Sequence, residues 1–185
     1  MKHGILLLIL FTSIFGFSQN SNENTIKNQS KVITQGPENG TLLIVGGAAS
    51  NYFYEEFMSL VGGANELIVV IPTAGTSEVI SQENLDNFKN SFIKKGFKNV
   101  TVLHTHNWDE ANSDKFMQPL KEAKGVWFSG GRQWRLADSY LNTKTHEAFK
   151  ALLDRGGVIA GSSAGATIQG SYLARGDTKT NTIMM

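Results

Sequence analysis

The chain contains no cysteine. A disulfide framework and a lipid-anchor cysteine are therefore both excluded, and stability rests on the apolar core alone. Net charge is also nearly absent, since 17 basic and 16 acidic residues leave a formal +1. The basic residues are scattered and form no arginine stripe, so nothing draws the protein toward nucleic acid, which is not an expected partner. The glycine turn Gly46-Gly47-Ala48 lacks G-x-G-x-x-G spacing, and no phosphate-loop lysine follows it. No nucleotide motif is present and no cofactor is expected. His104 and His106 could offer two zinc ligands, but a third would have to come from Asp109, Glu110 or Asp114. A structural role for the two histidines at a strand end is the stronger reading, and no metal is expected.

What is there belongs to a folded soluble protein: 185 residues, 41% hydrophobic and 18% charged. The first residues read differently. Lys2 and His3 precede the apolar run Ile5 to Leu10, continued by Phe11, Ile14, Phe15 and Phe17, with small residues at Gly16 and Ser18. This is the pattern of an export signal over 1–18, cleaved before Gln19. It is short for a spanning helix, so the expectation is an exported protein (periplasmic, secreted or at the cell surface) with no stable membrane span once the signal is removed. Residues 19–36 are rich in Asn, Gln, Ser and Lys and read as a flexible leader. A single α/β domain then occupies 37–185.

Within that domain, unalternated apolar runs alternate with helical patterns. Leu42 to Val45 reads as a strand buried on both faces, and Leu67 to Ile71 as a second, ended by Pro72. Val100 to Leu103, Gly125 to Ser129 and a run beginning at Val158 supply three more. Helices are expected over Tyr52 to Val61, from Ser81 or Glu83 up to a cap at Gly96, over Gln133 to Leu141, and over His146 to Asp154. The segment Asn107 to Lys115 shows little regular pattern, with a short helix near Phe116. Strands alternating with helices specify right-handed crossovers, hence a three-layer α/β/α fold with a mostly parallel central sheet. The loops leaving the carboxyl ends of its strands gather on one edge, where sites form.

The most informative stretch is Gly156 to Gly170, in which Gly161-Ser162-Ser163-Ala164-Gly165 follows a short strand and precedes a helix-compatible run. A serine on so sharp a bend needs small residues two before and two after, to let strand and helix pass. The bend also places the Ala164 N–H at a helix start, where an oxyanion could be held. Ser163 is thus a candidate nucleophile; close packing of strand on helix is the competing use of the same glycines. Trp108, in a polar loop on the active edge, could line a substrate subsite. Arg132 and Arg135 could grip a carboxylate.

Four stretches together carry a family likeness: Leu43-Ile44-Val45-Gly46-Gly47-Ala48, Ile71-Pro72-Thr73-Ala74, Phe128-Ser129-Gly130-Gly131-Arg132-Gln133, and Gly156-Gly157-Val158-Ile159-Ala160-Gly161-Ser162-Ser163-Ala164-Gly165-Ala166. The chain resembles the cyanophycinase and aspartyl dipeptidase group of serine exopeptidases, peptidase family S51, whose fold is like that of class I glutamine amidotransferases. The resemblance implies that Ser163 attacks the carbonyl of a peptide or isopeptide bond, with the Gly131 and Ala164 amides as oxyanion donors and Gln133 beside the substrate. Arg132 departs from cyanophycinases, where an acidic or amide residue precedes that glutamine, so the aspartate-arginine polymer is not the implied substrate.

A serine nucleophile needs a base. In the resembled group the histidine lies downstream of the serine, whereas His3, His104, His106 and His146 all lie upstream. Two accounts stand open. The chain could be C-terminally truncated, with the base beyond Met185, in which case it would be a poor hydrolase with exposed apolar edge surface. Alternatively, His104 or His106 is recruited. A non-catalytic binding protein of the same fold, another serine acyl hydrolase, and a homodimeric assembly also remain open.

Overall fold

The computed structural model describes residues 36–75 and 81–173. The expected signal segment 1–18, the leader up to residue 35, Thr76 and Ser77 of the loop after Pro72, and the tail from Arg175 onward lie outside the described residues. Five apolar runs form β1 (Thr41–Val45), β2 (Leu67–Ile71), β3 (Asn99–Val102), β4 (Gly125–Phe128) and β5 (Val158–Ser162). All pair in parallel, in the order β1-β5-β4-β2-β3.

That order decides where the helices lie. The connections β1 to β2 and β2 to β3 run in one direction along the sheet, and β3 to β4 and β4 to β5 run in the other. With right-handed crossovers the two sets must cover opposite faces. The first set carries α1 (Asn51–Leu60) and α2 (Gln82–Ile93). From these, Phe57 and Phe92, with Val61 and Phe97 just beyond the helix ends, pack on Ile68, Val70, Trp127 and Ala160. The second set carries α3 (Trp108–Ala111), α4 (Asp114–Met117), a 3-10 turn at Gln118–Lys121, α5 (Gln133–Tyr140) and α6 (Lys144–Asp154). There Leu120, Leu136, Tyr140, Phe149 and Leu152 pack on Val69, Ile71, Val126, Phe128 and Ile159. Alternate residues of each central strand thus serve opposite layers, and the fold is three-layer α/β/α with a parallel sheet. Burying each large apolar side chain is worth about 1.5–3 kcal/mol, so strands and covering helices both contribute to stability through these two layers.

Local sequence explains the helix boundaries. Ser81 accepts a hydrogen bond from the Asn84 N–H, and Thr143 from the His146 N–H, so each satisfies a free donor at the start of its helix. Gly96 takes φ 100° after α2, where the Phe97 N–H returns to the Phe92 carbonyl.

Three expectations need correction. First, β1 is not buried on both faces. It is an edge strand, paired on one side only among the described residues, and Ile44 is 59% exposed. Second, residues 107–115 are more ordered than expected. Asn107 accepts from the Glu110 N–H at 3.1 Å and Ser113 from the Phe116 N–H at 3.2 Å, starting the four-residue helices α3 and α4, which are too short to show a hydrophobic period. Third, the helix after Ser163, α7 (Ala164–Thr167), is a single turn.

α7 meets the sheet through two glycines. A methyl group on Gly165 would run into the Phe128 carbonyl, and one on Gly161 would come within 2.5 Å of the Gly165 carbonyl oxygen. Gly165→Ala should therefore cost about 1–3 kcal/mol by overpacking, read by denaturant unfolding. Ile44→Thr, on the exposed edge, should stay within about 0.5 kcal/mol. Equal losses for the two would contradict the packing described.

Candidate active site

The chain turns in opposite directions after β2 and after β4, although the two strands are neighbours. Beyond their carboxyl ends a crevice must open, because one exit loop leads to each face of the sheet. The loops are Pro72–Gly75 and Ser129–Arg132. They touch across the crevice: the Arg132 N–H donates to the Ala74 carbonyl at 2.7 Å. Gly131, at φ 141°, lies so close over Ala74 and Gly75 that a side chain at 131 would occupy the Ala74 peptide.

Ser163 stands on the same edge, at the end of β5. Its backbone has φ 53° and ψ −113°, a conformation that non-glycine residues avoid and that costs of order 1–3 kcal/mol. The surroundings hold it there. The Ser163 N–H donates to the Val45 carbonyl at 3.0 Å, and the Ser163 carbonyl accepts from the N–H groups of Ala166 and Thr167, both at 3.0 Å. Ser162 and Ala164 on either side are buried, while Ser163 is exposed. Gly130 faces it, such that a methyl group on Gly130 would lie 3.3 Å from Ser163 Cβ and 3.8 Å from Oγ.

Two backbone donors adjoin this corner in the chain: Gly131 follows Gly130, and Ala164 follows Ser163. Among the described residues, neither the Gly131 N–H nor the Ala164 N–H donates to a protein acceptor. Such groups are what a developing oxyanion needs. Among the described residues Ser163 Oγ has no hydrogen-bond partner either.

The remaining candidates divide. Arg132 precedes α5 and Gln133 is its first residue, so both stand directly after Gly131, half-buried. Arg135 reaches back to the Ala74 carbonyl with Nη1, at 3.5 Å. Trp108 is not brought to this turn. Its indole N–H donates to the Leu141 carbonyl at 3.1 Å, beyond the far end of α5, about 12 Å along the helix from Gln133. Nor are the histidines joined to Ser163 by any hydrogen bond described. His104 Nδ1 meets Thr73 Oγ1 at 3.0 Å, and His106 Nδ1 meets Ser139 Oγ at 3.2 Å. Among the described residues no three of His, Asp and Glu gather to hold a metal ion, and no helix is long and apolar enough to cross a membrane.

Sequence reading missed the polar cluster behind the crevice. Thr73, fully buried, joins both His104 Nδ1 and, at 2.7 Å, Tyr140 Oη. The Thr105 N–H also reaches Tyr140 Oη, at 3.4 Å, and Thr105 Oγ1 donates to Glu110 Oε2 at 2.7 Å. No spacing could have signalled the links to Tyr140 and from Thr73 to His104, whose partners are 31 to 67 residues apart.

Burial, seconded by the neighbouring His106 and opposed by Glu110, holds the His104 imidazole down at about 4. The unfolded chain takes up this proton near pH 6.5. Between those values the unfolded state binds more protons, so the contribution to stability is full above pH 6.5 and is lost as pH falls toward 4. Thermal unfolding followed from pH 7 to 4 should show a falling Tm, with a shallower fall in His104→Gln. Identical slopes would contradict this assignment.

The sequence signature of Peptidase family S51 matches residues 41–184. Among solved structures, the chain is similar to a peptidase from an acI-B1 Actinobacterium, with a TM-score of 0.62 and 24% identity over 75% of this chain and 60% of that one. It is also similar to a candidate peptidase E protein from Listeria monocytogenes EGD-e, with a TM-score of 0.52 and 18% identity over 71% of this chain and 62% of that one. At these identities the likeness carries the fold, and the chain spans about three-fifths of the length of either structure. No curated protein matches. With the family signature running from β1 through the turn at Ser163 and beyond, the chain belongs to peptidase family S51.

Proposed function

We propose that the protein is a serine peptidase of the cyanophycinase and aspartyl dipeptidase type, cleaving a peptide or isopeptide bond through an acyl-enzyme on Ser163. The observation that supports this reading is the strained, exposed Ser163, with the adjoining Ala164 amide and the amide of Gly131 next to Gly130 both lacking acceptors among the described residues. In the proposed reaction Oγ attacks the substrate carbonyl carbon while a base takes the hydroxyl proton. The resemblance to the group implies a histidine for that step. The carbonyl oxygen becomes an oxyanion between the Gly131 and Ala164 N–H groups, the C–N bond breaks, and the leaving amine receives the proton. Water then attacks the ester and releases Ser163. Removing one such oxyanion donor typically costs about 10²–10³ in kcat, which gives the scale of what the two amides supply.

Arg132 and Gln133, immediately after the oxyanion turn, are the proposed substrate contacts, with the Arg132 fork suited to a carboxylate of the substrate. A binding protein without turnover is the competing reading. It is favoured by the absence, among the described residues, of a hydrogen bond from Ser163 Oγ to any base.

Treatment of the full chain with a fluorophosphonate separates the two. A serine peptidase is labelled once, and Ser163→Ala abolishes the label; no label, or a label that survives the substitution, contradicts the reading. In active protein, Arg132→Ala should lower kcat/KM for acidic dipeptides by roughly tenfold or more, the loss of one charge-assisted hydrogen bond. An unchanged value would remove Arg132 from the substrate site.

A further inference from the structure

We propose that the hydrogen-bonded chain Thr105–Tyr140–Thr73–His104 sets the position of the oxyanion turn, with His104 as a positioning residue that acts through Thr73 and Ala74 on Gly131. The catalytic meaning of this inference rests on the serine peptidase reading above, whereas the mechanical coupling does not.

The chain has a direction. The Thr105 backbone N–H can only donate, and it points at Tyr140 Oη. Burial pushes the Tyr140 phenol up to about 12, so it keeps its hydrogen and can pass it to Thr73 Oγ1 at 2.7 Å. With Tyr140 donating to it, the Thr73 hydroxyl can itself donate to His104 Nδ1 at 3.0 Å, the acceptor nitrogen of a neutral imidazole in this tautomer. Thr73 is fully buried and Tyr140 is 3% exposed, so water does not substitute for these bonds. The chain ties together three segments: the loop after β2, the loop after β3, and the last turn of α5, the helix that begins at the crevice.

The next residue after Thr73 carries the effect onward. The Ala74 carbonyl accepts from the Arg132 N–H at 2.7 Å and from Arg135 Nη1 at 3.5 Å, and Gly131 lies against the same peptide with no room for a side chain. A shift of Thr73 therefore moves the surface on which Gly131 rests. Gly131 adjoins Gly130, the residue facing Ser163 Oγ. A proton on His104 Nδ1 would supply such a shift, because it turns the acceptor into a donor and reverses the bond with Thr73. The groups that face His104 among the described residues are the His106 ring, edge-on at a centroid distance of 5.0 Å, the Glu110 carboxylate held by Thr105, and Tyr140. Ser139 holds His106 from α5, and Arg135 is the cation on Ala74.

The test is NMR on the full chain labelled with ¹⁵N-glycine, titrated from pH 7.5 to 4. The Gly130 and Gly131 amide resonances should shift with the same midpoint as the His104 ring. Thr73→Val should abolish the glycine shift while His104 still titrates, and Thr73→Ser should restore it. Glycine amides that stay still while His104 titrates, or that keep their shift in Thr73→Val, overturn the proposal. The fluorophosphonate labelling rate of Ser163, measured over the same range, should fall with that midpoint; a rate with a different midpoint overturns the catalytic meaning. If Ser163 takes no label at any pH, the serine peptidase reading fails, and the glycine shifts still decide the coupling.

Discussion

The Phe128 carbonyl occupies the only space into which a side chain at position 165 could grow. The rest of the site follows from that close approach. A parallel strand that ends beside β4 must hand over to a helix within one residue, and the helix can start there only because both Gly161 and Gly165 lack a Cβ. The single residue left at the corner, Ser163, absorbs the whole change of direction in its own φ and ψ. Strain of this kind persists where neighbouring bonds over-determine it, and the hydrogen bonds from Ser163 to Val45 and back from Ala166 and Thr167 do so.

Topology supplies the second half of the site. Adjacent strands β2 and β4 send their chains to opposite faces, so their exit loops have no helix between them and meet directly. Contact through Ala74 and Arg132 holds Gly131 on the Ala74 peptide, and Gly130 beside it faces Ser163 at the end of β5. Neither loop alone would be well placed. The buried hydroxyls of Thr73 and Tyr140 then link this contact to His104, so a backbone feature of the site depends on side chains from three other segments. In the proposed mechanism, preorganised amides would stabilise charge without reorganising at the moment of reaction, and the rigidity of this loop pair would serve that end.

Much of this was legible in the sequence, for definite physical reasons. The apolar runs at 67–71, 125–128 and 158–162 are buried on both faces and so lack alternation, which let them be read as strands of a covered, mostly parallel sheet. Ser163 between Gly161 and Gly165 announced itself because the steric demand there is local. Other features were hidden because their causes are not local. Leu42 to Val45 reads like a central strand, yet Ile44 is exposed, since the place of β1 at the sheet edge depends on β5, more than 100 residues away. The one-turn helices α3 and α4 rest on the caps Asn107 and Ser113 and have no period to detect. Trp108 was misplaced for a similar reason: its polar neighbours fit an active-edge loop, but its indole is drawn to Leu141 past the end of α5.

The central claim concerns where two amides point relative to one hydroxyl. It is tested most directly by a crystal structure of the full chain after reaction with a phosphonate or boronic acid that forms a tetrahedral adduct on Ser163. The account predicts an adduct oxygen about 2.7–3.1 Å from both the Gly131 and Ala164 nitrogens, with Ser163 still at positive φ. An adduct whose oxygen meets neither amide, or a Ser163 that has relaxed into a continuous helix, would contradict it.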